Sequence, residues 1–207
     1  VTWTIDRSKI LQPTELKAVL NDLRRKFRRS LNTRMNLVIF RLSACCGLRA
    51  SEIAGLVLSD VRVDSGQPTI RVRKETAKGH KPRKVPLTWD SGTLADLTEW
   101  KRLRREQGAG DEDRFVCSLH CDSRGHALDR RGLRKRFKSS CRVLGRERQD
   151  ELTIHSGRHT FISLALHGGR SVLEVRAAAG HSSLGTTSLY AHLVDTNGEV
   201  GDLFAFE

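Results

Sequence analysis

Apolar residues recur at helical spacing along almost the whole chain, and the pattern becomes strand-like only between residues 70 and 87. That single switch of period restricts the fold to a mainly α-helical α+β protein with a small antiparallel sheet. Leu16, Val19, Leu20 and Leu23 form the first stripe, after Pro13 and Thr14, which suit a helix start. A second apolar helix is expected over 35–46, ended by Gly47, and a short third one over 50–58. Ile70, Val72, Val85 and Leu87 mark strands separated by the basic segment 74–84. Helices resume over 93–106, followed by a Gly-rich acidic surface loop over 107–113. Asp129 caps the next, whose apolar stripe is Leu133, Phe137, Cys141 and Leu144. Three more are expected: 153–167, stopped by Gly168-Gly169; a helix capped by Ser171 with Glu174 and ended by Gly180; and 184–193.

The chain carries a formal net charge of +13, a field that attracts polyanions and points to nucleic acid. Much of the excess falls on the helix after Asp129, where Arg130, Arg131, Arg134, Lys135, Arg136, Lys138 and Arg142 cover the faces outside the apolar stripe. Such a helix either presents a solvated face or lies against DNA, with Arg130, Arg131, Arg134 and Lys135 near its amino end as the candidate contacts. No run of about 18 apolar residues exists to span a membrane. The start lacks the pattern of an export signal, and five scattered cysteines read as reduced thiols, so a cytoplasmic protein is expected.

Several residues have the chemistry of phosphate transfer. Arg49 stands between two apolar helices with Glu52 three residues on, and alone would read as a structural ion pair. His155 and Arg158 share a helical face, with His159 one step further round. His181 follows the Gly180 helix stop. Arginine's planar fork matches two phosphate oxygens, and histidine exchanges protons or donates near neutral pH. A nucleophile is still required, and Tyr190, the only tyrosine in the chain, lies nine residues beyond His181.

The segments Gly47-Leu48-Arg49-Ala50-Ser51-Glu52, Ala77-Lys78-Gly79-His80-Lys81-Pro82-Arg83-Lys84-Val85-Pro86-Leu87, His155-Ser156-Gly157-Arg158-His159-Thr160 and Gly180-His181-Ser182-Ser183 through Tyr190 resemble, in order and spacing, the catalytic domain of the tyrosine recombinases, the phage integrases and Xer-like enzymes. The resemblance covers nearly the whole chain and implies the DNA breaking-rejoining fold. By position it implies that Arg49 and Arg158 clamp the scissile phosphate and that His155 accepts a proton or binds an oxygen. It also implies that His181 donates to the phosphate, that Lys78 protonates the leaving 5′ oxygen, and that Tyr190 forms a 3′-phosphotyrosyl bond. Lys74, Lys81 and Lys84 are rivals for the lysine's role. Neither metal nor ATP is implied; the partner is double-stranded DNA, bound by a monomer that becomes a homotetramer on the DNA. Residues 1–207 are expected to be the catalytic domain, without the family's amino-terminal DNA-clamping domain, and with an apolar tail over 199–207 that either docks on a neighbouring subunit, as in similar recombinases, or packs in cis. Gly157 departs from the pattern, standing where the family prefers a larger apolar residue.

Three other readings compete. A type IB topoisomerase shares the chemistry, though the spacing is Xer-like. A non-catalytic DNA-binding module has no use for the full set of catalytic side chains. Cys117, His120, Cys121 and His126 cluster in sequence as zinc ligands do, but at no standard zinc spacing.

Overall fold

The computed structural model describes residues 6–77, 81–181 and 184–190. The helices are α1 (Pro13–Lys26), α2 (Leu31–Ala44), α3 (Ala50–Gly55), α4 (Ser91–Glu106), α5 (Arg130–Ser140), α6 (Arg146–Glu151), α7 (Ile154–His167), α8 (Val172–Ala179) and α9 (Leu184–Ser188). Between α3 and α4 lie the strands β1 (Val61–Arg62), β2 (Thr69–Val72) and β3 (Arg83–Pro86). The expected class is what forms: a helical body with one three-stranded antiparallel sheet in the order β1-β2-β3. None of the described helices is long and apolar enough to cross a membrane.

The body is organised around α2. Met35, Leu37, Val38, Ile39, Phe40 and Leu42 are all fully buried, a helix apolar on nearly every side and therefore surrounded. It packs against α1, α4, α5 and α7, and Phe40 stacks on Phe137 of α5 with ring centroids 5.5 Å apart. One charge enters this core. Arg41 is buried and donates from Nε to Asp96 at 2.8 Å and from Nη1 to Asp90 at 2.9 Å. Asp90 also caps α4 through the amides of Gly92 and Thr93. The buried guanidinium is thus neutralised where it fixes the start of the next helix.

In the sheet, Ile70 pairs with Val85 and with Val61, and all three side chains are buried. The period of two also turns Arg83 to the same face as Val85, toward the protein, while Lys84 is exposed.

The elements differ from the sequence reading at several places. α2 begins at Leu31 because the Ser30 hydroxyl accepts the Thr33 amide. α3 ends at Gly55, where Leu56 turns extended and a 3₁₀ turn, Leu58–Asp60, follows. α6 has no buried residue and so left no apolar periodicity to read. α9 is helical only over Leu184–Ser188, and residues 191–207, including the tail, lie outside the described residues.

Gly157 has a steric reason to be glycine. A Cβ there would overlap the Ser43 hydroxyl and lie 3.0 Å from Phe137 Cε2. Ser43 cannot easily yield, because its hydroxyl donates to the Ile154 carbonyl at 2.7 Å. Helix propensity alone makes alanine better than glycine by about 1 kcal/mol, whereas overpacking costs about 1–3 kcal/mol. Gly157→Ala should therefore destabilise the protein in urea unfolding; a stabilised variant would show that α7 has room to move off α2.

Candidate active site

Three arginines converge on the carboxyl end of α8. Arg83 donates from Nε to the Ala178 carbonyl at 2.7 Å, Arg158 from Nη2 to Ala179 at 2.5 Å, and Arg49 from Nη2 to Gly180 at 3.2 Å. These are carbonyls that a helix leaves without intrahelical partners, at the negative end of its dipole. The geometry depends on Gly180, whose left-handed backbone (φ 68°) ends α8. A Cβ there would come 2.9 Å from Arg83 Cδ. Gly47 does the same service after α2: at φ 65° its carbonyl accepts Arg158 Nη1 at 2.6 Å.

Glu52 supplies the counter-charge. It is 1% exposed and takes two 2.7 Å bonds from the Arg83 fork, plus Nη1 of Arg49 at 3.0 Å and the Arg49 amide at 2.8 Å. Burial would push its carboxyl pKa up; the paired Arg83 and Arg49 override that and hold it below the ordinary range. Arg158 has no carboxylate of its own among the described residues. Burial, then the neighbouring Arg49 guanidinium, lower its pKa to about 9, so it stays charged at neutral pH.

The histidines of this region are all held below the ordinary imidazole pKa. His155 is exposed on the first turn of α7 and makes no hydrogen bond among the described residues. Desolvation, then Arg134, Arg158, Arg49 and Arg130, lower its pKa. His181 follows Gly180 and places Nδ1 3.0 Å from the Thr187 hydroxyl; burial, then Arg158 and Arg49, push it to about 4. His159 is pushed to about 4 chiefly by burial, and its Nδ1 lies 2.7 Å from the Tyr190 hydroxyl. Tyr190 itself is 2% exposed, and burial raises its phenol to about 12.

An open cleft of about 770 Å³ lies over this frame, lined by Arg49, Lys81, Arg83, Leu173, Arg176 and His181 among others. Arg49, Arg158, His159, His181 and Tyr190 are thus drawn into one neighbourhood from four separate segments. Lys78 lies outside the described residues; of its rivals, Lys81 lines the cleft. The amino end of α5 is close enough for Arg130 and Arg134 to act on His155. Arg130, Arg131, Arg134 and Lys135 are exposed and have no carboxylate partner among the described residues. The basic face is narrower than the sequence indicates, because Arg136 turns in to Asn36 and Asn32, both at 2.9 Å, and Lys138 pairs with Asp150 at 2.9 Å. Cys117 is buried and Cys121 exposed, and no three His, Cys, Asp or Glu side chains among the described residues converge as metal ligands.

Sequence reasoning passed over Arg83 and gave His159 no role. Arg83 carried a signal in its place two residues from the buried Val85, on the inward face of β3. His159 carried none beyond its place next to Arg158.

A cationic frame at a helix end, facing a cleft and backed by the chain's single tyrosine, has the chemistry to hold an anion. The model of the phage integrase family matches residues 9–197, and the chain belongs to that family. It is 34% identical over 161 residues to the tyrosine recombinase XerC of Corynebacterium efficiens, covering 77% of this chain and 47% of the relative. With the tyrosine recombinase XerD of Lacticaseibacillus casei the identity is 31% over 155 residues, 75% of this chain and 49% of that one. The chain therefore spans about half the length of these curated relatives. Among solved structures, the XerH site-specific recombinase bound to a palindromic difH substrate in a post-cleavage complex superposes with a TM-score of 0.68 at 26% identity, over 88% of this chain and 49% of that one. The XerA recombinase shares the fold at a TM-score of 0.71 and 24% identity, over 90% of this chain and 59% of that one.

Glu52→Gln should destabilise the protein by about 3–5 kcal/mol, the cost of leaving a buried charge unpaired. The sign with pH is fixed by the lowered carboxyl pKa. Its contribution is fully present above the ordinary value of 4.5 and is lost as pH falls through the lower folded value. Wild-type and variant stabilities, measured by denaturant unfolding from pH 7 downward, should converge in acid; a constant gap would remove the ion pairs as the cause.

Proposed function

We propose that this chain is the catalytic domain of a site-specific recombinase that cuts and rejoins duplex DNA through a 3′-phosphotyrosyl bond to Tyr190. The observation that carries the proposal is the joint placement of two guanidiniums, Arg49 and Arg158, and of His181 beside the chain's only tyrosine. The phenol oxygen attacks the scissile phosphorus, the bond to the 5′ oxygen breaks, and that oxygen leaves as a hydroxyl. Rejoining runs the same step backwards, so the phosphodiester energy is conserved without ATP. Arg49 and Arg158 hold the non-bridging oxygens, His155 and His181 assist them, and Lys78 gives the leaving oxygen its proton. Each well-placed donor to the transition-state oxygens is worth roughly 3–4 kcal/mol. The lowered pKa of His155 and His181 suits donors and acceptors better than fixed charges.

The relatives' names and the difH complex support double-stranded DNA as the partner. Exchange of strands between two duplexes requires several catalytic domains at once, and we propose a homotetramer on DNA formed from monomers in the cytoplasm.

A nicked suicide duplex that lets the 5′-hydroxyl strand diffuse away should trap the protein on the 3′ phosphate, in EDTA as well as in magnesium. Tyr190→Phe should bind the duplex with nearly unchanged affinity and give no adduct. An adduct that survives in the Phe variant, or cleavage strictly dependent on magnesium, would overturn the assignment.

Replacing Arg130, Arg131, Arg134 and Lys135 together by neutral residues should weaken binding to duplex DNA. If each touches a phosphate, the slope of log affinity against log salt falls by about 3–4, near 0.9 per contact. An unchanged slope means that this face meets only solvent.

A further inference from the structure

His181 is tied by its side chain to the helix that follows it. Its Nδ1 lies 3.0 Å from the hydroxyl of Thr187, six residues on and within α9. Thr187 is fully buried, and its carbonyl accepts the Tyr190 amide at 3.1 Å. One residue therefore meets the histidine with its side chain and the tyrosine's turn with its backbone. The rings of His181 and Tyr190 stand 6.1 Å apart.

The direction of the bond follows from burial. With its pKa at about 4, the imidazole of His181 is neutral at pH 7 and carries one N–H and one lone pair. A buried hydroxyl must place its proton on an acceptor, and among the described residues Nδ1 stands in reach of Thr187. Thr187 then donates to Nδ1, and the ring proton stands on Nε2. If the hydroxyl bonded back into its own helix instead, the ring proton would stand on Nδ1 and Nε2 would be a lone pair. The surroundings alone favour that second state. Burial first, then Arg158 and Arg49, lower the pKa of the ring, and the same positive field prefers a lone pair to an N–H on the cleft side. A donor to phosphate needs the opposite.

Taking His181 as a donor to the scissile phosphate, we propose that Thr187 is a positioning residue: its hydroxyl donates to Nδ1 and holds His181 as the Nε2–H tautomer beside the cleft that the histidine lines. Valine has threonine's shape without the hydroxyl and leaves the backbone bond to Tyr190 in place, so Thr187→Val removes this one interaction.

Nitrogen NMR of the full DNA-free chain with isotope-labelled histidine reads the tautomer, the His181 signals being those that His181→Ala removes. At pH 7 the wild type should carry the proton on Nε2; Thr187→Val should move it toward Nδ1, and Thr187→Ser should not. On a saturating nicked suicide duplex, Thr187→Val should slow cleavage by about tenfold, short of the roughly 100- to 1,000-fold that losing a donor outright costs. Duplex affinity should be nearly unchanged, and Thr187→Ser should cleave near the wild-type rate. Added to His181→Ala, Thr187→Val should cause no further loss, because residues acting through one contact are not additive. A wild type with its proton on Nδ1 overturns the proposal without any variant. A Thr187→Val protein that keeps the wild-type tautomer or the wild-type rate overturns it too, and so does a further loss in the double variant, which marks a purely structural role. If Thr187→Val fails to fold, Thr187→Ala carries the same comparisons. If His181→Ala cleaves as fast as the wild type, or the wild type gives no adduct, the reading of the site fails instead, while the tautomer still decides the Thr187 bond.

Discussion

The site depends on the way α8 ends. Three consecutive carbonyls, Ala178 to Gly180, have no partners in their own helix and take arginines from β3, α7 and the turn before α3. Each guanidinium is thereby fixed by backbone, which holds position better than a flexible carboxylate side chain would. Glu52 then neutralises one of the three charges from beneath. What remains is a surplus of positive charge in a partly buried setting, and burial first, then the neighbouring Arg49, lower the Arg158 pKa. An anion is the group that would relieve it.

The small sheet contributes to the same end. β3 packs beside α8, and the alternation of its side chains turns Arg83 inward where Val85 is also inward. The sheet thus delivers one of the two arginines that bridge Glu52 and the end of α8, Arg49 being the other. It also presents the segment before β3, with Lys81, to the rim of the cleft.

Most of the helical body was legible because its signals are local. Pro13, Asp129, Ser171, Gly47 and Gly180 mark ends by backbone chemistry that acts within a few residues. α6 was not, since six polar residues carry no apolar stripe, and the two-residue β1 exists only through its pairing with Ile70 and Thr69. The site divides along the same line. Arg49, His155, Arg158, His181 and Tyr190 sit in recognisable motifs, but the bond between His159 and Tyr190 spans 31 residues and follows from how α7 and α9 come together. Arg136 shows the converse error: it counts as surface charge in sequence, yet two asparagines of α2 hold it half-buried against the body.

The contact between Gly157 and Ser43 bears on how such a sequence can drift. The hydroxyl of one helix fills the space that a side chain on the other would need. The two positions therefore constitute one volume shared between two residues. A lineage that places a larger apolar residue at 157 must give up volume at 43 or let the helices part, and parting them would carry Arg158 away from Gly47. Substitutions at 43 and 157 should then be inherited together, although neither residue touches the cleft.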